Sequence, residues 1–265
     1  MTSPSLDRRT ALAGAAVTLS SAASAQDKLP TVLITGASRG IGFGLATKYA
    51  ERGWTVIATA RNPSRSEDLQ ALAAKHTNVR PETLDVTDLG QIDTLAAKLR
   101  GTPIDVLINN AGISGGAENQ VFGQLNYDAF DSVMHTNVLG PLKIAEAFTE
   151  HIAASGQKKL INISSTEGSL GSISRRPDYR NYFYRASKAA LNMEMVNVAK
   201  AVKDKGITVL LLSPGFVRSD FTAGIDLPIM ISVDESATQC MDVIDKATIE
   251  QSGMFFNQRG EPGIW

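Results

Sequence analysis

Short apolar runs alternate with longer amphipathic segments along the chain from Thr31 onward. The first run, residues 31–35, is rich in β-branched residues, which is typical of a strand buried on both faces of a sheet. Six more runs follow, at residues 55–58, 79–84, 104–108, 159–163, 207–212 and 253–256. Helical periodicity occupies the intervening residues 41–49, 67–75, 88–99, 126–153, 184–204 and 234–249. This alternation predicts one α/β domain, with a doubly wound, mostly parallel seven-stranded sheet and helices on both faces.

Composition adds few constraints to this picture. The 265 residues suffice for one domain with a sizeable core, and no linker or repeat divides them. A formal net charge of −1 gives no reason to expect nucleic acid as a partner. The single cysteine, Cys240, excludes an internal disulfide, and the three histidines have no spacing typical of a metal site.

The first 26 residues differ in character from the rest. Arg8-Arg9 precede a moderately apolar run at residues 11–19, and small residues end in Ala23-Ser24-Ala25. This order is the pattern of a secretory signal, and its apolar run is too short for a stable membrane span. The arginine pair favours the twin-arginine route. We therefore expect a signal segment at residues 1–26, a domain at 27–265 and a periplasmic protein; the alternative is a cytoplasmic one.

A glycine-rich turn joins the first predicted strand to the first predicted helix. Gly36, Gly40 and Gly42 allow a tight turn, close approach of a pyrophosphate, and packing of the helix on the strand. The N-terminus of the helix then favours the phosphate charge. The position of these glycines after a strand and before a helix predicts a dinucleotide site.

The end of the second predicted strand indicates which dinucleotide binds. An acidic residue there would pair with the ribose hydroxyls of NAD, but the chain has Ala60-Arg61. Arg39, in the glycine turn, brings a second guanidinium. Two guanidinium groups suit a 2′-phosphate, so we expect NADP(H) rather than NAD(H). The alternative is that both arginines are solvated surface residues.

Tyr184 and Lys188 are four residues apart on a predicted helix, so they share one face. A nearby ammonium stabilises a phenolate, and we therefore expect Lys188 to lower the pKa of Tyr184 from its ordinary value of about 10. A tuned proton donor in a chain with a dinucleotide turn predicts hydride transfer coupled to proton transfer.

These features together resemble the short-chain dehydrogenase/reductase family, over nearly all of the chain from Thr31 on. Six motifs stand in the family's order: Thr35-Gly-Ala-Ser-Arg-Gly-Ile-Gly42, Asn109-Asn-Ala-Gly112, Asn137, Ser164-Ser165, Tyr184-x-x-x-Lys188 and Pro214-Gly215. Residues 184–192 and the closing Gly-Met-Phe-Phe and Gly-Ile-Trp resemble the C-factor-like and sniffer-like carbonyl reductase branch. The resemblance implies a single-domain Rossmann fold. It is compatible with a homodimer or homotetramer, but some members of the family are monomers, so the number of subunits stays open.

The resemblance also implies roles for single residues. Tyr184 would be the proton donor in carbonyl reduction and Lys188 would hold the nicotinamide ribose. Ser165, the second serine of its pair, would bind the substrate oxygen, and Asn137 would orient Lys188 through water. The remaining cofactor contacts would be Gly36, Ser38, Arg39, Gly40, Ile41, Gly42, Arg61, Asp85, Val86, Asn110, Ala111, Gly112, Pro214, Gly215, Val217 and Ser219.

Two segments are expected to shape the substrate pocket, and they point in different directions. Residues 166–183 contain Arg175, Arg176 and Arg180, which would favour an acidic substrate. Residues 218–232 contain an apolar set that would close over a hydrophobic one: Phe221, Leu227, Ile229 and Met230. Because the two segments favour different substrates, the sequence leaves the substrate class open.

Two functions are compatible with the sequence. The first is an NADPH-dependent reductase of aldehydes or ketones acting on a small molecule, and reversibly an alcohol dehydrogenase. The second, which follows from the C-factor resemblance, is a nucleotide-binding signalling protein with little turnover. Binding alone would not require Asn137, Ser165, Tyr184 and Lys188 together, so the enzyme is favoured.

Overall fold

A computed structural model describes residues 1–2, 29–178 and 180–265, and within them the chain forms a seven-stranded sheet. Its strands run in the order β3-β2-β1-β4-β5-β6-β7, and every neighbouring pair is parallel. The strands are β1 (Thr31–Ile34), β2 (Thr55–Ala60), β3 (Val79–Thr83), β4 (Val106–Asn109), β5 (Lys159–Ile163), β6 (Thr208–Ser213) and β7 (Phe255–Asn257). The sheet is thus fully parallel. The signal segment predicted at residues 1–26 lies almost entirely outside the described residues.

Helices cover both faces of the sheet. They are α1 (Gly40–Glu51), α2 (Glu67–Lys75), α3 (Leu89–Lys98), α4 (Tyr127–Met134), α5 (Gly140–Ala153), α6 (Leu170–Ile173), α7 (Tyr182–Ala201) and α8 (Val233–Lys246). One face packs on α1, α2 and α8, and the other on α3, α5 and α7. None of the described helices is both long and apolar enough to cross a bilayer.

Alternation along each strand explains why the apolar runs are continuous. In β1, Val32 and Ile34 belong to the core on the α1 side, while Leu33 belongs to the core on the α5 side. Val56 and Ile57 of β2 divide in the same way. Successive side chains point to opposite faces, and here both faces are covered. The central positions of both strands are therefore apolar.

The helix predicted at residues 126–153 is interrupted. A π-helical turn at His135–Leu139 separates α4 from α5. Such turns widen the backbone spiral locally and are frequent at functional sites. Asn137 lies in this turn and is fully buried. The interruption therefore places a buried amide where an uninterrupted helix would have continued.

Asp105 and Lys159 tie the amino-terminal edge of the sheet together. The Asp105 carboxylate accepts hydrogen bonds from the backbone N–H groups of Thr31 at 2.9 Å and Gly156 at 3.1 Å. Lys159 Nζ donates to the carbonyl of Ile244 at 2.8 Å, near the carboxyl end of α8. Cations are favoured at that end of a helix. These side chains therefore bind protein groups at the amino ends of the strands. The carboxyl ends of the strands, on the opposite side of the sheet, are where we look for a site.

The carboxyl edge of the sheet contains the point at which the winding direction changes. β1 lies between β2 and β4, so the connections leaving β1 and β4 go to opposite sides. Open α/β sheets bind ligands in the crevice at such a switch point. The glycine turn follows β1 and the predicted Asn110–Gly112 segment follows β4, so both predicted segments lie at this crevice.

Candidate functional site

The glycine turn packs tightly against the segment after β4. A Cβ added to Gly36 would lie 2.9 Å from Ala111 Cα, and one added to Gly42 would lie 2.4 Å from Asn110 Nδ2. Asn110 Nδ2 donates to the carbonyls of Thr35 at 2.9 Å and Gly36 at 3.1 Å. Any side chain at these two glycines would push the turn and the segment apart.

Gly40 differs from Gly36 and Gly42 because the space beside it is open. Its φ of +56° lies in the left-handed region, and a Cβ added there would have only Ser219 Cβ nearby, at 3.9 Å. The space above Gly40 is thus open. Arg39 caps α1 without a side-chain hydrogen bond, so the first N–H groups of the helix, including that of Ile41, point at this space. An open turn beneath a helix N-terminus fits a pyrophosphate.

Arg39 and Arg61 are on neighbouring connections at this edge. The backbone N–H of Ala37 bonds to the carbonyl of Thr59 at 2.8 Å, and the Ser66 hydroxyl donates to the carbonyl of Ser38 at 3.1 Å. The glycine turn therefore lies against the end of β2 and the chain that follows it. Arg39 Nη1 is 3.4 Å from Asp220 Oδ2, and both side chains are largely exposed. Arg61 is also exposed.

The segments after β3 and β6 complete the rim of the crevice. Val86 is buried, and a Cβ on Gly140 would meet its carbonyl oxygen at 2.6 Å. Asp85 Oδ1 accepts from the Thr87 hydroxyl at 2.8 Å. After β6, the Pro214 carbonyl accepts from Ser236 Oγ at 2.7 Å.

Beyond Pro214, the chain after β6 comes back to the glycine turn. Gly215 has a φ of +87°, Val217 is buried, and Ser219 lies beside Gly40. The predicted cofactor residues thus surround one crevice, while their contacts with a nucleotide stay predictions.

Tyr184 and Lys188 share one face of α7, as the spacing predicts. Lys188 Nζ lies 5.7 Å from the centroid of the Tyr184 ring. Lys188 is 5% exposed, and its Nζ donates to the carbonyl of Ile163 at 2.8 Å, at the end of β5. The amine is therefore fixed between the helix and the strand end that leads into Ser164 and Ser165.

The structure separates the two serines after β5. Ser164 is buried, and its hydroxyl bonds to Asn192 Oδ1 at 2.5 Å. Ser165 is only partly buried, and its Oγ accepts from the backbone N–H of Glu167 at 3.1 Å. Because the Ser165 oxygen is the acceptor there, its hydroxyl proton is left for another partner. The two serines thus differ in their partners, and the substrate-binding role of Ser165 stays a prediction.

Asn137 is held by protein groups on each side. Its Oδ1 accepts from the backbone N–H of Ile113 at 2.9 Å, and its Nδ2 donates to Ser187 Oγ at 3.0 Å. A Cβ on Gly112 would lie 3.3 Å from Asn137 Oδ1 and 3.8 Å from Lys188 Nζ. Asn137 and Lys188 therefore flank the same glycine, but the structure gives no direct hydrogen bond between them.

The expected lowering of the Tyr184 pKa is wrong for the described residues. Burial raises the pKa of Tyr184 to about 12; a hydrogen bond with Ser165 opposes this rise, and the negative charge of Glu167 adds to it. Burial also lowers the pKa of Lys188 to about 8. Both groups lose solvation, and that loss disfavours the charged form of each. The site therefore presents a neutral phenol at physiological pH, which can donate a proton.

The two segments expected to shape the pocket are described except for Tyr179. Arg176 pairs with Glu167, and Arg180 Nε lies 3.3 Å from Asp178 Oδ2, so two of the three arginines face carboxylates. On the other segment the Phe221 ring packs on Tyr184, with centroids 5.3 Å apart. Further apolar side chains are exposed there: Ile225, Leu227 and Ile229. Met230, in contrast, is buried.

Some contributing residues escaped the sequence reasoning. Ser187 lies inside the Tyr184-to-Lys188 motif; its hydroxyl donates to the Tyr184 carbonyl at 2.8 Å while accepting from Asn137. Thr35 Oγ1 accepts from the backbone N–H of Asn110 at 3.0 Å. Both are small hydroxyl residues inside motifs already identified, and that position was the available signal. The side chain of Glu167 contacts residues that are distant in sequence, so no local sequence pattern predicts these contacts.

Comparisons with known proteins agree with this geometry. A family model described as short chain dehydrogenase matches residues 30–228. A 1-hydroxy-2-glutathionyl-2-methyl-3-butene dehydrogenase of Rhodococcus sp. is 34% identical over 237 residues, covering 88% of this chain and 98% of the relative.

Solved structures give the same result. The carbonyl reductase from chicken fatty liver, with NADPH bound, has a TM-score of 0.83 and 33% identity, covering 90% of this chain and 100% of that one. The carbonyl reductase Sniffer of D. melanogaster has a TM-score of 0.79 and 28% identity, covering 89% and 100%. The predicted resemblance is confirmed: the chain belongs to the short-chain dehydrogenase/reductase family of oxidoreductases.

Proposed function

We propose that this protein is an NADPH-dependent reductase that converts an aldehyde or ketone to an alcohol, reversibly, with Tyr184 as the proton donor. The observation that carries the proposal is one cluster beside the dinucleotide crevice. It joins a neutral phenol, the Ser165 hydroxyl and the buried amine of Lys188. Carbonyl reduction needs a proton donor and a second hydrogen-bond donor at the same oxygen, and the cluster supplies both.

NADPH, when bound, supplies the hydride. The chain's own residues act on the carbonyl oxygen, where negative charge develops. Ser165 and Tyr184 both direct hydroxyl groups toward that oxygen, and Tyr184 transfers its proton to it. The positive charge of Lys188, 5.7 Å from the phenol ring, favours the phenolate that remains. Asn137 holds the backbone of Ile113 and the hydroxyl of Ser187, which keeps this part of the crevice rigid.

The residues around the crevice suit NADP(H) better than NAD(H). The helix N-terminus and the open turn at Gly40 would hold the pyrophosphate. Arg39 and Arg61, on neighbouring connections, would hold the 2′-phosphate. The end of β2 offers no carboxylate for an unmodified ribose, since residue 61 is arginine. The NADPH in the chicken carbonyl reductase structure supports the same choice.

The substrate is an aldehyde or ketone with an apolar flank. Phe221 packs on Tyr184, and Leu227 and Ile229 are exposed on the same segment. Arg176 and Arg180 face Glu167 and Asp178, which reduces the attraction of segment 166–183 for an acidic substrate. An apolar surface beside the proton donor favours hydrophobic carbonyl compounds.

Export is a separate part of the proposal and rests on the sequence alone. Arg8-Arg9 followed by an apolar run and Ala23-Ser24-Ala25 is a twin-arginine type of signal. That route exports folded proteins, so a protein loaded with its nucleotide in the cytoplasm could reach the periplasm intact.

Tyr184→Phe removes the proton donor while keeping the ring. We expect kcat for NADPH-dependent carbonyl reduction to fall by about 10²–10⁴-fold, the usual contribution of general acid catalysis. The fall is measured as NADPH oxidation against a panel of apolar aldehydes and ketones. Tyr182→Phe, two residues earlier on α7, is the matched control and should retain activity.

Equal rates for wild type and Tyr184→Phe would eliminate Tyr184 as the donor. Absence of turnover in the wild type, together with tight NADPH binding measured by fluorescence, would instead favour the nucleotide-binding signalling protein.

The pH profile tests the role of Lys188. Its pKa of about 8 means that the ammonium form is present below that pH and is lost as the pH rises through it. Tyr184, with a pKa of about 12, stays protonated over this range. We therefore expect kcat/KM for reduction to decline on the alkaline side of about pH 8.

The variant Lys188→Arg is the control. It keeps its charge to higher pH, so its residual activity should lack this decline. A flat wild-type profile between about pH 6 and pH 10 contradicts the role.

Arg39→Ala and Arg61→Ala test nucleotide choice. Each should lower kcat/KM for NADPH by about ten- to a hundredfold, since a hydrogen bond to a charged group is worth about 1.5–3 kcal/mol. The value for NADH should change far less. Arg65→Ala, an exposed arginine shortly after Arg61, is the control. Equal losses with both nucleotides would contradict 2′-phosphate recognition.

Export is tested by sequencing the N-terminus of the mature protein. We expect it to begin at Gln26 in a periplasmic fraction, and the double variant Arg8→Lys, Arg9→Lys should remain in the cytoplasm. An intact Met1 or Thr2 in a cytosolic fraction of the wild type would rule export out.

A further inference from the structure

Arg185, the residue after the proton donor, is the hub of an ion-pair cluster. Its Nε donates to Glu167 Oε2 at 2.7 Å, its Nη2 to the carboxylate of Asp178, and its Nη1 to the Asp178 carbonyl at 3.3 Å. The Arg185 side chain is only 12% exposed. The predicted mechanism assigns this side chain no role.

The other cations of the cluster are peripheral. Arg176 contacts Glu167 and Arg180 contacts Asp178, with side chains 40% and 76% exposed. Exposed ion pairs contribute little. A shielded, planar guanidinium that bridges two carboxylates is stronger and more directional. Arg185 also holds the pKa of Asp178 below its ordinary value. Arg185 is thus the residue that organises the cluster.

The two acids lie near opposite ends of one segment. The described residues of this segment, 166–178 and 180–181, leave the sheet after Ser165 and return to α7. Glu167 is two residues after Ser165, and its backbone N–H donates to Ser165 Oγ. Asp178 is four residues before the first residue of α7. A single guanidinium therefore ties both ends of the segment to the helix turn that carries Tyr184.

We propose that Arg185 is a positioning residue: by bridging Glu167 and Asp178 it holds the described part of this segment on α7 and keeps the Ser165 hydroxyl directed at the oxygen that Tyr184 protonates. The inference rests on the proposed reductase function. Arg185 does not touch the reacting atoms. It acts through Glu167, whose backbone N–H donates a hydrogen bond to the Ser165 oxygen.

The charge of Glu167 is a second reason for the pairing. That charge raises the pKa of Tyr184, and Arg185 partly neutralises it. A lysine at position 185 would keep a positive charge but would lack the fork needed to reach both carboxylates.

Arg185→Met tests the inference. We expect kcat for the best carbonyl of the panel to fall about tenfold to a hundredfold, because small misplacements of reacting groups cost that much. The dissociation constant for NADPH should stay within about twofold, since the glycine turn lies on other elements. Arg185→Lys should recover part of the loss and covers the case in which Arg185→Met does not fold. Arg52→Met, which breaks the ion pair with Asp245 elsewhere, is the matched control.

A double-mutant cycle tests the route through Glu167. If Arg185 acts through that carboxylate, Arg185→Met should cost much less kcat in a Glu167→Gln background than in the wild type. Additive losses in the cycle would overturn the proposed route, whereas a cost that disappears in the second background supports it.

Limited trypsin digestion gives a readout that needs no turnover. Arg175 and Arg180 are exposed in the segment, and their peptide bonds should be cut faster in Arg185→Met than in wild type or Arg52→Met. Unchanged cleavage, together with kcat within about twofold of wild type, would overturn the positioning role. A wild type that reduces no carbonyl would defeat the proposed function, while digestion would still decide whether Arg185 holds the segment.

Discussion

The hydrogen bond from Lys188 Nζ to the Ile163 carbonyl is the contact on which the site depends. It fixes α7 to the carboxyl end of β5 at 2.8 Å. The chain turns at that strand end into Ser164 and Ser165, and Tyr184 stands one helical turn before Lys188. One buried amine thus determines the spacing between the serine and the phenol. A buried ammonium without such a partner would be costly, so the carbonyl also stabilises the charge that the chemistry needs.

Much of the fold was predictable because parallel strands covered on both faces are mostly apolar along their length. Each predicted run overlaps a strand, with ends that shift by one or two residues. The glycine turn and the Tyr184–Lys188 spacing were equally predictable, since both depend on residues close in sequence. The family assignment followed from the order of these local motifs.

Other features depend on contacts between distant residues and left no periodic signal. The π-helical turn around Asn137 is coupled to Ile113 and Ser187, which lie 24 and 50 residues away. Glu167 and Arg185 form their ion pair across a loop whose charged residues are typical of a solvated surface. The predicted lowering of the Tyr184 pKa is wrong for the same reason: helical spacing reveals the nearby amine, but it does not reveal how completely the fold removes water from both groups.

The pKa shifts determine the protonation states in which the two groups start. Burial keeps the Tyr184 phenol protonated near neutral pH, but it also opposes the phenolate that remains once the proton is transferred. The amine beside it, with a pKa of about 8, is charged at neutral pH and loses that charge in mild alkali. The proposed reduction would begin with the neutral phenol, which burial favours, and with the charged amine, which persists near neutral pH although burial disfavours it. Alcohol oxidation must begin by removing the phenol proton, and burial opposes that step. Since the same phenolate would remain after proton donation in reduction, burial of the described residues opposes it in both directions of the proposed reaction, and the positive charge of Lys188 offsets part of that cost.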